Sequence, residues 1–301
     1  MKRLLIIVTI VLIISGVSFS IYVALSDFFN DGSGQLDPSL ASNYGGFIGG
    51  VVGTVFTVVG FFLLYITLLE QRRTFNIQQF ENKYFEFLKM HRENVQNISH
   101  RRPDKKVDEN VSGQGFFVQL RAQYFKIRKQ INDANNPEID NIMSVSTDVL
   151  NDLSFQLLYY GVSEGMRNVT EKIVDSIVGD KIKSQKVIDK IREKKAKYND
   201  DHVFYGGHQS RLGLYFKLFY EVVKFVDRQG FLTSKEKEHY IDMLIAQLSV
   251  YEQSIICLEA LSNLGFGNNN LGLIRKYHLL NGIPQGFLKY IEDESIRRFR
   301  E

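Results

Sequence analysis

The sequence predicts an all-α membrane protein: an N-terminal two-helix transmembrane hairpin followed by a cytoplasmic multi-helix domain. Three observations predict it. The stretches 4–25 and 44–69 contain no charged residue, and each is long enough, at about 1.5 Å per residue, to cross a hydrocarbon core of about 30 Å. Apolar residues then recur at intervals of three and four, as on helices. The sequence contains no run of alternating apolar residues bounded by turns, which is the pattern of a β-strand.

The charges that flank the two apolar stretches predict their orientation. Lys2 and Arg3 precede the first, Arg72 and Arg73 follow the second, and the connector carries three acidic residues and no basic one: Asp27, Asp31 and Asp37. The positive-inside rule then places both termini of this multi-pass hairpin in the cytoplasm and residues 26–43 outside. A cleaved signal peptide ending near residue 20 is an alternative, although the apolar run continues beyond that point.

Composition changes divide the chain into three predicted parts. Residues 1–72 form the transmembrane hairpin, 73–112 a juxtamembrane helix and linker, and 113–301 the cytoplasmic helical domain. The juxtamembrane helix is expected to continue to about Asn97. The polar segment 99–112, which includes Pro103, is expected to be a linker without regular structure.

The second apolar stretch carries glycines spaced by four, which are Gly45, Gly46, Gly49, Gly50 and Gly53. Such spacing lets two helix backbones approach closely inside a bilayer. Two interpretations remain open: the glycines pack the second helix on the first within the hairpin, or they associate one chain with another in a homo-oligomer.

Helices are predicted along the cytoplasmic domain wherever the apolar period persists. The clearest covers 208–228. Thr233 and Glu236 have capping-box spacing and are expected to open one helix that continues to Gly265. The remaining predictions are helices over 117–131, 142–160, 168–178 and 181–198, and two short ones around Ile274 and Phe287.

A net charge of +3 over 301 residues does not by itself indicate a nucleic-acid-binding protein. One segment is strongly basic, with a surface that includes Lys186, Lys190, Arg192, Lys194, Lys195 and Lys197. It is interpreted as a solvated helix face, with contact to anionic lipid or to nucleic-acid phosphates as alternatives. The single cysteine, Cys257, is expected to be a small buried apolar residue.

Known catalytic and ligand motifs are missing from the sequence. The six histidines have no helical i,i+4 metal-site spacing, and one cysteine cannot build a zinc cage. There is no phosphate-binding loop and no nucleophile elbow. No histidine follows an arginine at the spacing of helical ribonucleases. We therefore predict no catalytic residue, metal or cofactor, and identify no small-molecule substrate.

Three blocks of residues nevertheless form a pattern. The first is Gly206-Gly207-His208-Gln209-x-x-Leu212-Gly213-x-Tyr215-Phe216, continued by Phe219-Tyr220 and by Val223-Lys224-Phe225-Val226-Asp227. The second comprises Ala246-Gln247-Leu248-Ser249-x-x-Glu252 and Leu261-Ser262-Asn263-Leu264-Gly265, and the third is Ile274-x-Lys276-Tyr277-His278-Leu279-Leu280. In order and spacing they resemble the phage abortive infection proteins, the AbiC-like family, over about residues 113–283.

The resemblance implies a role in anti-phage defence. A similar two-span protein is the effector of some retron systems, whose reverse transcriptase and DNA–RNA complex are then implied as partners. We expect a non-enzymatic toxin that disrupts the membrane when released from an inhibitory partner. A membrane-tethered nuclease or other hydrolase, and a non-toxic sensor or scaffold, remain alternatives.

A candidate partner or ligand site follows from the first block. It comprises His208, Gln209, Arg211, Lys217 and Lys224. Capping and packing at the start of the helix is the alternative role for His208 and Gln209. Lys217 stands where the family usually has arginine, so this position departs from the family pattern. Lys224 is also placed to pair with Asp227 across one helical turn.

Overall fold

A computed structural model describes residues 2–25, 38–101, 110–133, 147–179, 181–197, 206–266, 268–284 and 286–288. These residues form two compact units, Met1–Glu81 and Asn82–Glu301, which we describe separately. The three acidic residues of the predicted connector (Asp27, Asp31 and Asp37) lie outside the described residues.

The first unit contains helix α1 (Lys2–Leu25) and the first part of helix α2 (Pro38–Asn97). The two helices meet at Gly16, where an added Cβ would lie 3.5 Å from Cγ1 of Val55. Their buried side chains include Val52 and Val59, while most other large apolar residues, such as Phe61 at 64% exposure, face outward. An outward apolar surface of this extent is typical of a helix that faces lipid.

One helix among the described residues, Gly49–Asn97, contains a stretch long and apolar enough to cross a membrane. The apolar part of α1 among the described residues, Ile6–Phe19, is too short by the same criterion to cross a membrane. The structure thus supports membrane association through α2. The two-span hairpin and the cytoplasmic position of both termini stay predictions.

The second unit begins with the last part of α2 and is mostly helical, which confirms the all-α prediction for this part of the chain. Its further elements are β1 (Ser99–Arg101), β2 (Asn110–Ser112), α3 (Gln114–Asp133), α4 (Thr147–Tyr160), α5 (Arg167–Val178), α6 (Lys181–Lys197), α7 (Gln209–Asp227), α8 (Ser234–Ile245), α9 (Val250–Ala260) and α10 (Leu271–Lys276), with short 3-10 turns at Glu164–Met166 and Asn268–Asn270.

The core of this unit forms around α4, α7 and α9. Every residue of α4 from Leu150 to Tyr159 is buried, so this helix is covered on all faces. Helix α7 buries only one side, which presents the rings of Tyr215, Phe216 and Phe219. The last part of α2 packs on the core as well, because the Tyr84 hydroxyl donates a hydrogen bond of 2.5 Å to the Tyr240 carbonyl oxygen. Cys257 is fully buried, as expected.

The segment 99–112 differs from the linker that its composition predicts. Strands β1 and β2 pair antiparallel, with Ser99 opposite Ser112 and Arg101 opposite Asn110. Each strand has three residues, which is too short for an alternating apolar pattern to be read from the sequence. The pairing itself stabilises these strands, since it satisfies their backbone donors and acceptors.

The single helix predicted from Thr233 to Gly265 is wrong, because the structure has two helices there, α8 and α9, bent by 111°. The Thr233–Glu236 capping box is confirmed at the start of α8. A second capping box, between Ser249 and Glu252, starts α9. It satisfies backbone N–H groups that a continuous helix would have paired internally, so the chain can turn here at little cost.

Candidate functional site

The N-terminal end of α7 is fixed by a close approach between two backbones. Gly207 has a φ of +77°, and a Cβ at this position would lie 2.4 Å from the Tyr160 carbonyl oxygen. The next residue, His208, donates its backbone N–H to the Tyr159 carbonyl oxygen at 2.8 Å. Only glycine combines this left-handed backbone with so short a contact, which explains the second glycine of the first block.

His208 points into the core. It is 1% exposed, its Nε2 lies 2.8 Å from Oε1 of Gln123, and its ring packs edge-on against Phe116. It precedes α7 without a side-chain cap hydrogen bond. The histidine therefore connects α7 to α3, and the packing interpretation has more structural support than an exposed ligand site.

The five residues of the predicted ligand site are not brought together. Gln209 and Lys217 are exposed and Arg211 is half-buried, whereas His208 faces inward. Lys224 Nζ lies 3.3 Å from the Glu221 carboxylate, so the expected pairing of Lys224 with Asp227 is wrong. Asp227 instead accepts hydrogen bonds from Lys276 and Tyr277 of the third block. These residues are about fifty positions away along the chain, so the sequence did not predict the contact.

Two tyrosines of α7 face two carboxylates of α9. The Tyr220 hydroxyl donates to Oε2 of Glu259 at 3.1 Å, and Glu259 is fully buried. Burial, and then the Glu259 carboxylate, raise the pKa of Tyr220 well above its ordinary value. Burial raises the pKa of Glu252, against which hydrogen bonds from Ser249 act, while burial and the Glu252 carboxylate raise the pKa of Tyr215. Buried polar groups thus link the first block, on α7, to α9, the helix that carries Glu252 of the second block.

Asp227, at the C-terminal end of α7, joins the first block to the third. Its Oδ1 accepts a hydrogen bond from Lys276 Nζ at 2.6 Å and another from the Tyr277 hydroxyl at 2.7 Å. Its backbone oxygen accepts from Lys237 Nζ at 2.6 Å. The hydrogen bond from Lys276 is the main reason that the pKa of Asp227 lies below its ordinary value.

Replacing Asp227 with Asn is expected to lower the free energy of unfolding by about 1 kcal/mol or less, because the pair with Lys276 is partly exposed to solvent. A double-mutant cycle with Lys276→Met measures the coupling. The aspartate has a lowered folded pKa, so its contribution is present above about pH 4 and is lost as the pH falls below that value. A coupling that stays constant down to pH 3 would contradict the role given to the carboxylate.

Asp152 of α4 holds the second block in the same way. Its Oδ1 accepts from the Asn263 backbone N–H at 2.7 Å and from Gln156 Nε2 at 2.8 Å, and its Oδ2 accepts from Asn263 Nδ2 at 2.7 Å. Nearby on α4, Asn151 Oδ1 accepts from the Tyr124 hydroxyl at 3.2 Å and from Arg128 Nε at 3.1 Å. Sequence reasoning missed both residues, although adjacent polar residues inside an apolar helix are a signal for buried hydrogen bonding.

The polar side chains of the three blocks mainly join helices to one another. They are dispersed over hydrogen bonds between α3, α4, α7, α9 and α10 and do not converge on one point. Within the described residues, no group of three or more His, Cys, Asp or Glu side chains is arranged to hold a metal ion. What this arrangement does chemically is to fix the relative positions of the helices in this unit.

The predicted basic surface lies on α6. Lys186 is exposed, while Arg192 lies 3.8 Å from the Glu171 carboxylate and 3.9 Å from that of Asp189. The arginine is therefore part of the contact between α5 and α6. The side chains of Lys190, Lys194, Lys195 and Lys197 lie outside the described residues, so the lipid and phosphate alternatives stay predictions.

Comparison with known protein families gives one match. Residues 207–288 match the family described as "Putative phage abortive infection protein". The matched segment begins at Gly207, the residue before His208 and α7, and ends at the last residue that the structure describes. It therefore contains all three blocks except Gly206. No curated protein and no solved structure matches the chain. The match confirms the resemblance that the blocks suggest.

Proposed function

We propose that this chain is an anti-phage defence effector that acts at the bacterial inner membrane. The proposal starts from the match of residues 207–288 to the phage abortive infection family. When an inhibitory partner releases it, the effector disrupts membrane integrity and kills or arrests the infected cell. The family match is the observation that carries the defence role. The membrane mechanism rests on the apolar surface and the glycines of the first unit.

The support for a membrane mechanism is the open glycine face of α2. A Cβ added at Gly45, Gly46, Gly49, Gly50 or Gly53 meets nothing within 4 Å among the described residues, and all five are exposed. The contact between α1 and α2 uses Gly16 instead. Among the described side chains, none of α1 packs against the glycine face, which favours association between chains over packing within the hairpin.

Hydroxyl groups beside the glycines also suit close packing of helices. Thr54 Oγ1 donates to the Gly50 carbonyl oxygen at 2.5 Å, and Thr57 Oγ1 donates to that of Gly53 at 2.8 Å. Because these hydroxyls bond their own helix, they need no polar partner in lipid. A second copy of α2 can then approach the glycines through dispersion contacts alone, and an assembly of such helices would perturb the bilayer.

The inhibitory partner is proposed from the resemblance alone. In a retron system it would be the reverse transcriptase with its DNA–RNA product. This part of the proposal is tested by co-expression: the complex is expected to suppress toxicity and to co-purify with the chain. Toxicity that continues unchanged beside an expressed complex would separate this chain from retron control while leaving the membrane mechanism intact.

The experiment for the membrane mechanism is induction of the chain in bacteria, with membrane potential and total RNA followed together. Depolarisation with intact RNA is expected. Loss of RNA before depolarisation would instead favour a membrane-tethered nuclease or other hydrolase. If a well-expressed chain leaves both quantities unchanged, the effector model fails in favour of a non-toxic sensor or scaffold.

The glycine face is tested by the double variant Gly49→Leu/Gly53→Leu. Four added side-chain carbons at each position would separate two packed backbones, so both cross-linking between chains and depolarisation should be lost. The matched control is Val51→Leu/Val58→Leu on the same helix, where both valines are exposed and lie roughly half a turn from the glycines. If the glycine variant depolarises cells as the control does, the self-association model is wrong.

A further inference from the structure

A cavity of about 530 Å³ lies between α4, α5 and the segment from the end of α9 to α10. This volume is within the range of small-molecule sites. Polar residues supply one part of its lining and aliphatic residues the other; the polar ones are Asp148, Asp152, Gln156, Ser176, Asn263 and Arg275. Two of these polar side chains are more than nine-tenths buried, Asp152 at 3% and Gln156 at 8% exposure. The site is thus built from the core of the unit and not from surface residues alone.

Gln156 offers an acceptor whose orientation is already fixed. Its Nε2 donates to Oδ1 of Asp152 at 2.8 Å, and Asp152 is held in turn by Asn263. That donation is the one hydrogen bond of the Gln156 side chain within the described part of the chain, so Oε1 remains available to a donor in the cavity. A buried acceptor of this kind gains most from a ligand that brings an N–H group.

Ser176 and the two aspartates of the lining also favour a ligand that carries hydrogen-bond donors. Ser176 uses its hydroxyl proton in a bond of 2.7 Å to the Ile173 carbonyl oxygen, which leaves its oxygen as an acceptor. Asp148 and Asp152 are four residues apart on α4 and so lie on the same helix face, and Arg275 is the one cationic side chain among the lining residues described. Two carboxylates against one guanidinium give the lining an excess of negative charge.

The aliphatic part of the lining comes from several elements at once: Val149, Ile177, Ala260, Leu261 and Leu271. Such a surface accommodates a short hydrocarbon chain. We infer that the cavity binds a small organic cation, an alkylamine or alkylguanidine, whose N–H groups bond Gln156 Oε1 and the Asp148 carboxylate while its methylene groups contact the aliphatic wall. Nothing in this inference depends on the proposed membrane activity.

The inference is tested by isothermal titration calorimetry on the full chain in non-ionic detergent. Agmatine and putrescine are the cationic probes, and AMP is an anionic probe of comparable size. Either cation is expected to bind more tightly than AMP. Agmatine binding without putrescine binding would assign the site to guanidines, and the reverse to amines. If neither cation binds at millimolar concentration, or if AMP binds more tightly, the inference is overturned.

Three variants locate the binding. Asp148 is exposed, so Asp148→Asn should fold normally and weaken the bound cation about tenfold, through loss of a charge-assisted hydrogen bond. Arg275→Met, also at an exposed residue, should strengthen cation binding several-fold because it removes the opposing charge. The matched control is Asp242→Asn, an exposed aspartate of α8 outside the cavity, which should leave the affinity unchanged. Equal losses in Asp148→Asn and Asp242→Asn would show non-specific attraction and refute the site.

Discussion

Gly207→Ala is expected to lower the free energy of unfolding of the helical unit by about 3 kcal/mol or more. The alanine Cβ would lie 2.4 Å from the Tyr160 carbonyl oxygen, and the neighbouring Tyr159 carbonyl oxygen is 2.8 Å away. Backbone atoms cannot yield as a flexible side chain can. The residue would also keep a φ of +77°, where a side chain is strained. The end of α4 and the start of α7 would have to separate.

Thermal unfolding followed by circular dichroism at 222 nm measures this effect, since the chain has no tryptophan for fluorescence. For a unit of this size, the loss corresponds to a decrease in Tm of roughly 6 to 12 °C. Gly272→Ala is the matched control, because this glycine lies in α10 with nothing within 4 Å of an added Cβ. The control should unfold at the wild-type temperature or slightly above it. Equal Tm values for both variants would disprove the close contact at Gly207.

The second large effect concerns pH and depends on His91. This residue of α2 is 3% exposed, and its ring lies 5.2 Å from that of Tyr215 and 6.3 Å from that of Phe219. Burial lowers its pKa from 6.5 to about 4. The folded protein thus holds the imidazole neutral at pH values where the unfolded chain already binds a proton.

The sign of the effect follows from this difference in proton binding. The histidine contributes fully above its unfolded pKa of 6.5, and the contribution is lost as the pH falls from there towards 4. Between pH 7 and pH 5 the wild-type protein should lose about 2 kcal/mol of unfolding free energy through this residue. Asp227, with a lowered pKa, loses its contribution only below about pH 4, and the raised pKa of Glu252 acts in the opposite direction from His91.

His91→Phe isolates the contribution of His91 to the pH dependence of stability, because phenylalanine keeps a ring against Tyr215 and Phe219 and does not titrate. The variant should lose about 2 kcal/mol less than the wild type between pH 7 and pH 5, measured by urea unfolding at each pH. His239→Phe, the same substitution at an exposed histidine of α8, is the control for the change of side chain itself. Identical pH profiles for the wild type and His91→Phe would contradict a neutral buried imidazole.

The sequence by itself determined the helical class and most helix positions. A helix that buries one face has apolar residues at intervals of three and four, a pattern that is visible in the local sequence. This pattern predicted α7 over 208–228, and the structure has it at Gln209–Asp227. The Thr233–Glu236 capping box was predictable because such a cap acts over three or four residues. The end of α2 at Asn97 was predictable because a polar, charged segment with Pro103 follows it. The three blocks that resemble the abortive infection family were also recognisable along the chain.

Tertiary structure decided how those blocks are used. Asp227 lies one turn from Lys224 in sequence, yet its partners are Lys276 and Tyr277, which only the packing of α10 against α7 brings within 2.7 Å. The chain bends by 111° between α8 and α9, where the Ser249–Glu252 capping box starts the second helix. A cap and the continuation of a helix compete at such a position, and the apolar period alone did not show which of them forms. The spacing of residues along the chain predicts contacts within one helix. Contacts between helices depend on the free energy of packing over the whole unit, and no local sequence pattern contains that information.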